Sequence, residues 1–468
     1  KLTALLRNWS AKNPARAPLL IAADYEGGTV FSPSTLGLSD LPANMMLGAA
    51  GDARQAASLA YLAGMELRRA GIDMNFGPVL DVNTQSRNPA IGIRSIGSDP
   101  GLVSAIGAAL IDGFRTAGVI SVAKHFPGQG AAWLDSHKTL PVLKITETEL
   151  NAVHLPPFKK ALEAQVPGIM TAHVVFTALD KNLPATLSPA VIENLLHKKM
   201  GFKGFVITDS LDMKAISSKR SMAEGAVLAV KAGADMVLIG GGNPLETRDA
   251  LTKAVREGVI PAERLEEAYQ RVLNVKKHAA RIAQEKPSVS ESGKAYLLIS
   301  EEIAAGAVTL VRDTAGLIPL SGRFDVKKSS VCVIMFSPPR FADDLLALPK
   351  IFYAGGWKTV QYTASTDPDN DEKNRALEYA NNADILIVGS FQWADIQNKK
   401  QTKLIRTLLS TGKPTVLVSL MSPYDIPRFP GAGTVLATYG ITESSMKALG
   451  GILTGKTEAR GKLPVKLN

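Results

Sequence analysis

Over its first three-fifths the chain alternates short apolar runs with amphipathic stretches at intervals of roughly 30 to 50 residues, which is the rhythm of βαβ units. The runs are PLLIAAD, MNFGPVLDV, VISVAKHF, GIMTAH, FVITDS and DMVLIGG, and nearly every one ends in a polar or charged residue followed by a loop. Between them, ARQAASLAYLAGMELRRA and SPAVIENLLHKKM read as helices, the second opened by Ser188 as cap and Pro189 as first-turn residue. The fold class is therefore α/β. In a parallel sheet, functional groups collect where strands finish, because that edge faces the loops. Those ends supply Asp24 and Glu26, Asp81, Lys124 and His125, His173, and Asp209.

Six strands are two short of a closed (β/α)8 TIM-type barrel, and the helix-like LTALLRNWSAK feeds straight into the first of them. Either two units lie upstream of Lys1 or the sheet is open. A start on Lys instead of Met suggests that an N-terminal segment, such as a signal peptide, is removed or missing. After about residue 280 the polar, Pro- and Ser-containing stretch RIAQEKPSVSESGK reads as a linker. The expected division is a barrel-like domain over 1–280, a linker over 281–294 and a smaller α/β domain over 295–468. The last is marked by SSVCVIMF, ADILIVG and PTVLVSL.

Composition narrows the function classes. The 468 residues are 46% hydrophobic and 6% aromatic, enough for two or three domains with buried cores. Lys and Arg number 53 against 43 Asp and Glu, giving a net charge of +10. These charges are dispersed, with no basic run or aromatic interleaving, which argues against nucleic acid as a partner and for a mildly cationic, solvated surface. No apolar stretch approaches the roughly 20 residues of a membrane span. The single cysteine, Cys332, reads as a buried strand residue. No HExxH occurs and the six histidines have no zinc spacing, so no catalytic metal is expected. GGILTGKT, residues 450–457, formally satisfies the phosphate-loop pattern. A helical run precedes it and an extended run follows, the reverse of what a phosphate loop needs.

Asp209 in VITDSLDM follows a buried run directly and could either cap the next helix or hold a nucleophilic carboxylate against a substrate. In KHFPGQGAAWLDSH, Asp135 stands two residues from His137, close enough for a carboxylate to fix the imidazole tautomer and stabilise its cation during proton transfer. Gly128 and Gly130 would let this loop bend over a pocket. Lys124 and His125 suit anions or sugar hydroxyls, or else are a salt-bridged Lys and a satisfied His.

Taken together, KHFPGQG, DSH, MTAH, PATLSP, GFVITDSLDM, DYEGG, FGPVLDVN and NPAIGIRSIGSDP resemble the glycoside hydrolase family 3 β-N-acetylglucosaminidases of the NagZ type. They occur in that family's order over Asp24 to Gly241. AVTLVRD, GLIPL and RGKLPV resemble its C-terminal α/β sandwich domain. The resemblance implies a retaining exo-β-N-acetylglucosaminidase of peptidoglycan-derived or chitooligosaccharide fragments. Asp209 would be the nucleophile and His137 the general acid/base, with Asp135 as its partner. Asp24, Arg94, Lys124, His125 and His173 would bind the sugar. It also implies no cofactor, and a place in the cell envelope, periplasmic or exported.

Departures bear on specificity. Gln129 stands where the family has His, and Thr29 and Ser32 replace two arginines, so preference for the neighbouring sugar is expected to differ. A phosphorylase, a β-glucosidase of the same family and a non-catalytic saccharide-binding protein are the other readings.

Overall fold

The computed structural model describes residues 2–12, 17–28, 37–283, 292–394 and 398–467. Five parallel strands form the first sheet in the order β1 (Ala22–Ala23), β2 (Met74–Asn75), β3 (Ile120–Phe126), β5 (Gly168–Thr171) and β7 (Phe205–Thr208). Two short strands outside it, β4 (Val142–Leu143) and β6 (Val175–Phe176), pair with each other. The sixth expected run joins the sheet as a single bridge from Met236 to Ile207. All six expected runs thus lie side by side in chain order. Among the described residues the sheet curls into a half-barrel and does not close. Every residue of β3 is buried, as expected for a parallel strand covered on both faces.

The helix Ala262–Ala283 covers the lower end of this arc. Its Val275 and Ala279 pack with Met74, Phe76, Ile120, Val122 and Ile207. Arg271 Nη1 donates to Asp235 at 3.1 Å, Lys276 Nζ to the Pro18 carbonyl at 2.9 Å, and Arg68 to the Ile282 carbonyl at 2.7 Å. Asp235 and Pro18 lie at the amino ends of strands, so the helix leaves the carboxyl ends to the site.

Helix ends follow local chemistry. Asp99 accepts from the Leu102 amide ahead of Pro100–Ala117, where Pro100 occupies the first turn. Ser188 corrects the expected cap: its hydroxyl donates to Asp180 at 2.7 Å, and the helical segment Ala190–Lys199 starts without a side-chain cap.

The second sheet has six strands in the order β10 (Lys358–Ala364), β9 (Ser330–Phe336), β11 (Ile385–Ser390), β12 (Thr415–Ser419), β13 (Thr434–Ala437) and β8 (Thr309–Asp313). Only β8 is antiparallel. Cys332 is fully buried in β9. Gly450 to Thr454 form the end of the helix Glu443–Thr454, with Gly455 as its left-handed cap. The phosphate-loop look-alike therefore offers helix carbonyls, not amides.

One hydrophobic cluster runs through both halves of the molecule, from Leu59 and Phe114 to Val333, Leu417 and Leu453. Polar contacts join them as well. Asn83 Nδ2 donates to the Tyr424 hydroxyl at 3.2 Å, the Ser98 amide to the Pro464 carbonyl at 2.9 Å, and Tyr296 to the Asp40 carbonyl at 2.7 Å.

Candidate active site

At the carboxyl ends of the first sheet a cavity of ≈ 360 Å³ is lined by Asp24, Arg94, Lys124, His125, His137 and Asp209, together with Gln129 and Ser136. Six of the eight residues singled out in the sequence thus share one wall. Asp135 lies just behind His137. His173 is fully buried and stands outside the lining.

Its charged floor is built from three chain segments. Glu26, after β1, accepts two bonds from Arg94, from Nε at 2.7 Å and from an Nη at 2.9 Å. Lys124 Nζ lies 2.5 Å from the same carboxylate and 2.6 Å from Asp24. Burial alone would raise the Glu26 carboxyl, but Arg94 and Lys124 outweigh it and hold the group well below the ordinary carboxylate range. The reverse holds for Lys124: burial favours its neutral form, yet Glu26 and Asp24 keep it charged and raise it. Asp24, 40% exposed, is the member of the cluster with carboxylate surface to offer a ligand.

His125 sits between two carboxylates. Its Nδ1 faces Asp81 Oδ2 at 2.7 Å, and its Nε2 lies 3.9 Å from Asp209 Oδ2. Asp81, fully buried, also accepts from the Gln129 amide at 2.7 Å, which ties the start of the His137 loop to the sheet.

Asp209 follows β7 directly. Its Oδ1 accepts from the Ser210 amide at 2.7 Å, so Oδ2 carries the unengaged lone pairs. Burial pushes its carboxyl up, but His125, the Ser210 amide and Lys124 prevail and keep it below its ordinary value, ionised at neutral pH. His173 supports this strand end from behind: Nε2 bonds the Ser210 carbonyl at 2.9 Å and Nδ1 the Thr186 hydroxyl at 2.7 Å. Burial lowers its pKa, which favours the neutral ring with the proton on Nε2.

His137 is 56% exposed in its side chain and Asp135 19%. Asp135 Oδ1 accepts from the His137 amide at 2.9 Å and faces His137 Nδ1 at 2.8 Å. One carboxylate oxygen thereby fixes both backbone and ring, leaving Nε2 for the cavity. The next turn of the loop is pinned too, since the Ser136 carbonyl accepts from the Ala215 amide at 3.1 Å. Gly130 has a packing reason: a Cβ there would lie 1.9 Å from the Val82 carbonyl. Instead of supplying slack, it lets the loop seat against the segment after Asp81.

Glu26 and Asp81 were marked in the sequence only as strand-end acids. The signal that both were structural counter-ions of the site was their charge at that edge. Their partners lie 68 and 44 residues away and become visible only in the fold. Thr29 and Ser32 lie outside the described residues. Among the described residues no group of three or more His, Cys, Asp or Glu is placed to hold a metal ion.

Comparison with known proteins agrees with this geometry. Residues 1–275 match the glycosyl hydrolase family 3 N terminal domain, and residues 226–468 match the C-terminal domain of that family. A beta-hexosaminidase A from Pseudoalteromonas piscicida is 28% identical over all of this chain and 86% of its own length. A beta-hexosaminidase from Shewanella frigidimarina is 39% identical over 48% of this chain and 67% of that protein. Among solved structures, a glycoside hydrolase family 3 beta-N-acetylglucosaminidase from Paenibacillus sp. str. FPU-7 superposes with a TM-score of 0.90 at 34% identity, covering 100% of this chain and 90% of the other. With both domains matched in order and the strand-end site formed, this chain belongs to glycosyl hydrolase family 3 and is a hydrolase of its two-domain form.

Proposed function

We propose that the protein is a retaining exo-β-N-acetylglucosaminidase acting on peptidoglycan-derived or chitin-derived saccharides. The observation that carries the reading is the pairing, across one cavity, of an ionised Asp209 with a His137 whose ring is held by Asp135. Retention needs one group to attack the anomeric carbon and another to protonate the leaving oxygen and then deprotonate water. Asp209 Oδ2 is the attacking atom, since Oδ1 is held by the Ser210 amide. His137 Nε2 gives its proton to the departing oxygen and becomes neutral, then regains one from the attacking water; Asp135 stabilises the imidazolium before the first transfer and after the second. Asp24 accepts from a sugar hydroxyl while Lys124 and Arg94 donate to others, all on a floor whose charges are already paired. Beta-hexosaminidase relatives and a beta-N-acetylglucosaminidase structure support the choice of sugar.

The test is release of p-nitrophenol from its β-N-acetylglucosaminide by the intact chain, Asp209→Ala and His137→Ala, each with and without azide. Both variants should lose turnover. Azide should then yield the inverted glycosyl azide with Asp209→Ala and the retained one with His137→Ala. An intact chain that binds N-acetylglucosamine but releases nothing refutes the enzyme reading. Release that depends on added phosphate replaces hydrolysis with phosphorolysis, which an uncharged acid/base such as His137 would permit.

A further inference from the structure

The group that protonates the glycosidic oxygen stands beside the first atoms of whatever leaves. A leaving-group sugar therefore lies on the side of the cavity formed by the loop that carries His137. On that loop, immediately before Asp135, stand Trp133 and Leu134, 63% and 46% exposed. Single exposed apolar residues are ordinary, but here two adjacent ones stand within four residues of the acid/base group.

The loop around them is fixed. Gln129 is tied to Asp81, Ala132 is buried in the core, and Ser136 is held by Ala215. A bulky indole held in solvent by a pinned loop loses little conformational freedom when a ligand covers it. Its flat apolar face matches the C–H face of a pyranose ring.

We infer that Trp133 is the platform on which the leaving-group sugar rests, making it a specificity-determining residue of the acid/base loop. This rests on the hydrolase reading above and adds a preference: leaving groups with a ring are favoured over those without one.

Two substrates separate the contributions. N,N′-diacetylchitobiose has a pyranose leaving group. Methyl 2-acetamido-2-deoxy-β-glucopyranoside has a one-carbon leaving group with no ring, and its departing oxygen needs the same proton from His137. Trp133→Ala should lower kcat/KM for the disaccharide ~10- to 30-fold, the scale of one buried aromatic face. The methyl glycoside should change less than about twofold, and Trp133→Phe should restore most of the disaccharide rate. Equal losses on both substrates would show that Trp133 only shapes the loop, and no loss on either would remove the platform; both results overturn the inference while the hydrolase reading stands. A wild-type chain that cleaves neither substrate takes the hydrolase reading down, and the inference with it.

Discussion

Glu26 balances two buried cations at once, and that makes it the most exposed point of failure among the site's residues. Glu26→Gln keeps the volume but leaves Arg94 and Lys124 short of their shared counter-charge. Breaking a buried ion pair from one side costs about 3–5 kcal/mol. Urea unfolding at neutral pH should show a loss of that order, with a raised KM if the protein still folds. Because the folded-state pKa of Glu26 is depressed, this stabilisation is present above the ordinary carboxylate range and is lost only as pH falls below it. Three histidines set a milder pH dependence. Burial lowers His154, His173 and His197 from the ordinary value of 6.5. Below that value the unfolded chain takes up protons that the folded chain refuses, so stability should fall as pH drops from 7 towards 5. Asp425 opposes the trend: burial pushes its carboxyl up to about 6, and the folded state gains its proton first. Melting curves should therefore lose more on acidification in Asp425→Asn than in the wild type. The slope should flatten in His154→Leu, where two unpartnered ring nitrogens are removed. Asp135 and His137 were legible because their pairing is local. Glu26 with Arg94 was not, because the two meet only when β1 and the segment after β2 are brought together.

Among the elements, the loop over 127–141 depends most on close approach. Gly130→Ala would set a methyl 1.9 Å from the Val82 carbonyl, so the loop must lift from its seat. A displacement of about 1 Å at catalytic groups costs on the order of 10²-fold in rate. Gly130→Ala should lose kcat to about that extent while far-ultraviolet circular dichroism stays unchanged. All six positions of the first sheet were legible from their apolar runs, yet three are much shorter than those runs. β1 keeps two residues of PLLIAAD, and β4 and β6, outside the sheet, were not read. In MNFGPVLDV the ladder breaks after Asn75, ahead of Gly77 and of Pro78, which has no amide to donate, and resumes only as a bridge from Val79 to Lys124. DMVLIGG pairs at one residue before turning into glycines. In the second domain β8, β10 and β13 were not read as strands. β10 runs along the sheet edge with three of its seven residues exposed and only one buried, so KTVQYTA lacks the unbroken apolar signal of β9.

At the scale of the molecule, the second domain is a clamp on the segment that carries Arg94. Tyr424 holds Asn83, the Trp393 carbonyl packs against Gly92, and Pro464 holds Ser98. Gly92, at φ +47, leaves room for that carbonyl where a Cβ would come within 2.6 Å. Tyr424→Phe removes both hydrogen bonds between its hydroxyl and Asn83, each worth about 0.5–1.5 kcal/mol at most. It should raise KM more than it lowers kcat, because Arg94, the proposed sugar ligand, sits on the clamped segment while Asp209 and His137 are anchored elsewhere. Since one apolar cluster crosses both halves, the full chain should melt in a single calorimetric transition, and two resolved transitions would contradict the shared core.

The first sheet is also laid down strictly in chain order, each strand beside the one before it. A nascent chain can therefore add one βα unit at a time to a growing edge as it leaves the ribosome, with no strand waiting for a later one to be inserted. The helix Ala262–Ala283 arrives after all of them and is the piece that covers Met74, Phe76, Ile120 and Val122. Synthesis of this protein thus has a vulnerable interval, between emergence of the sixth strand and docking of that helix, when the apolar inner face of the arc is open to other chains.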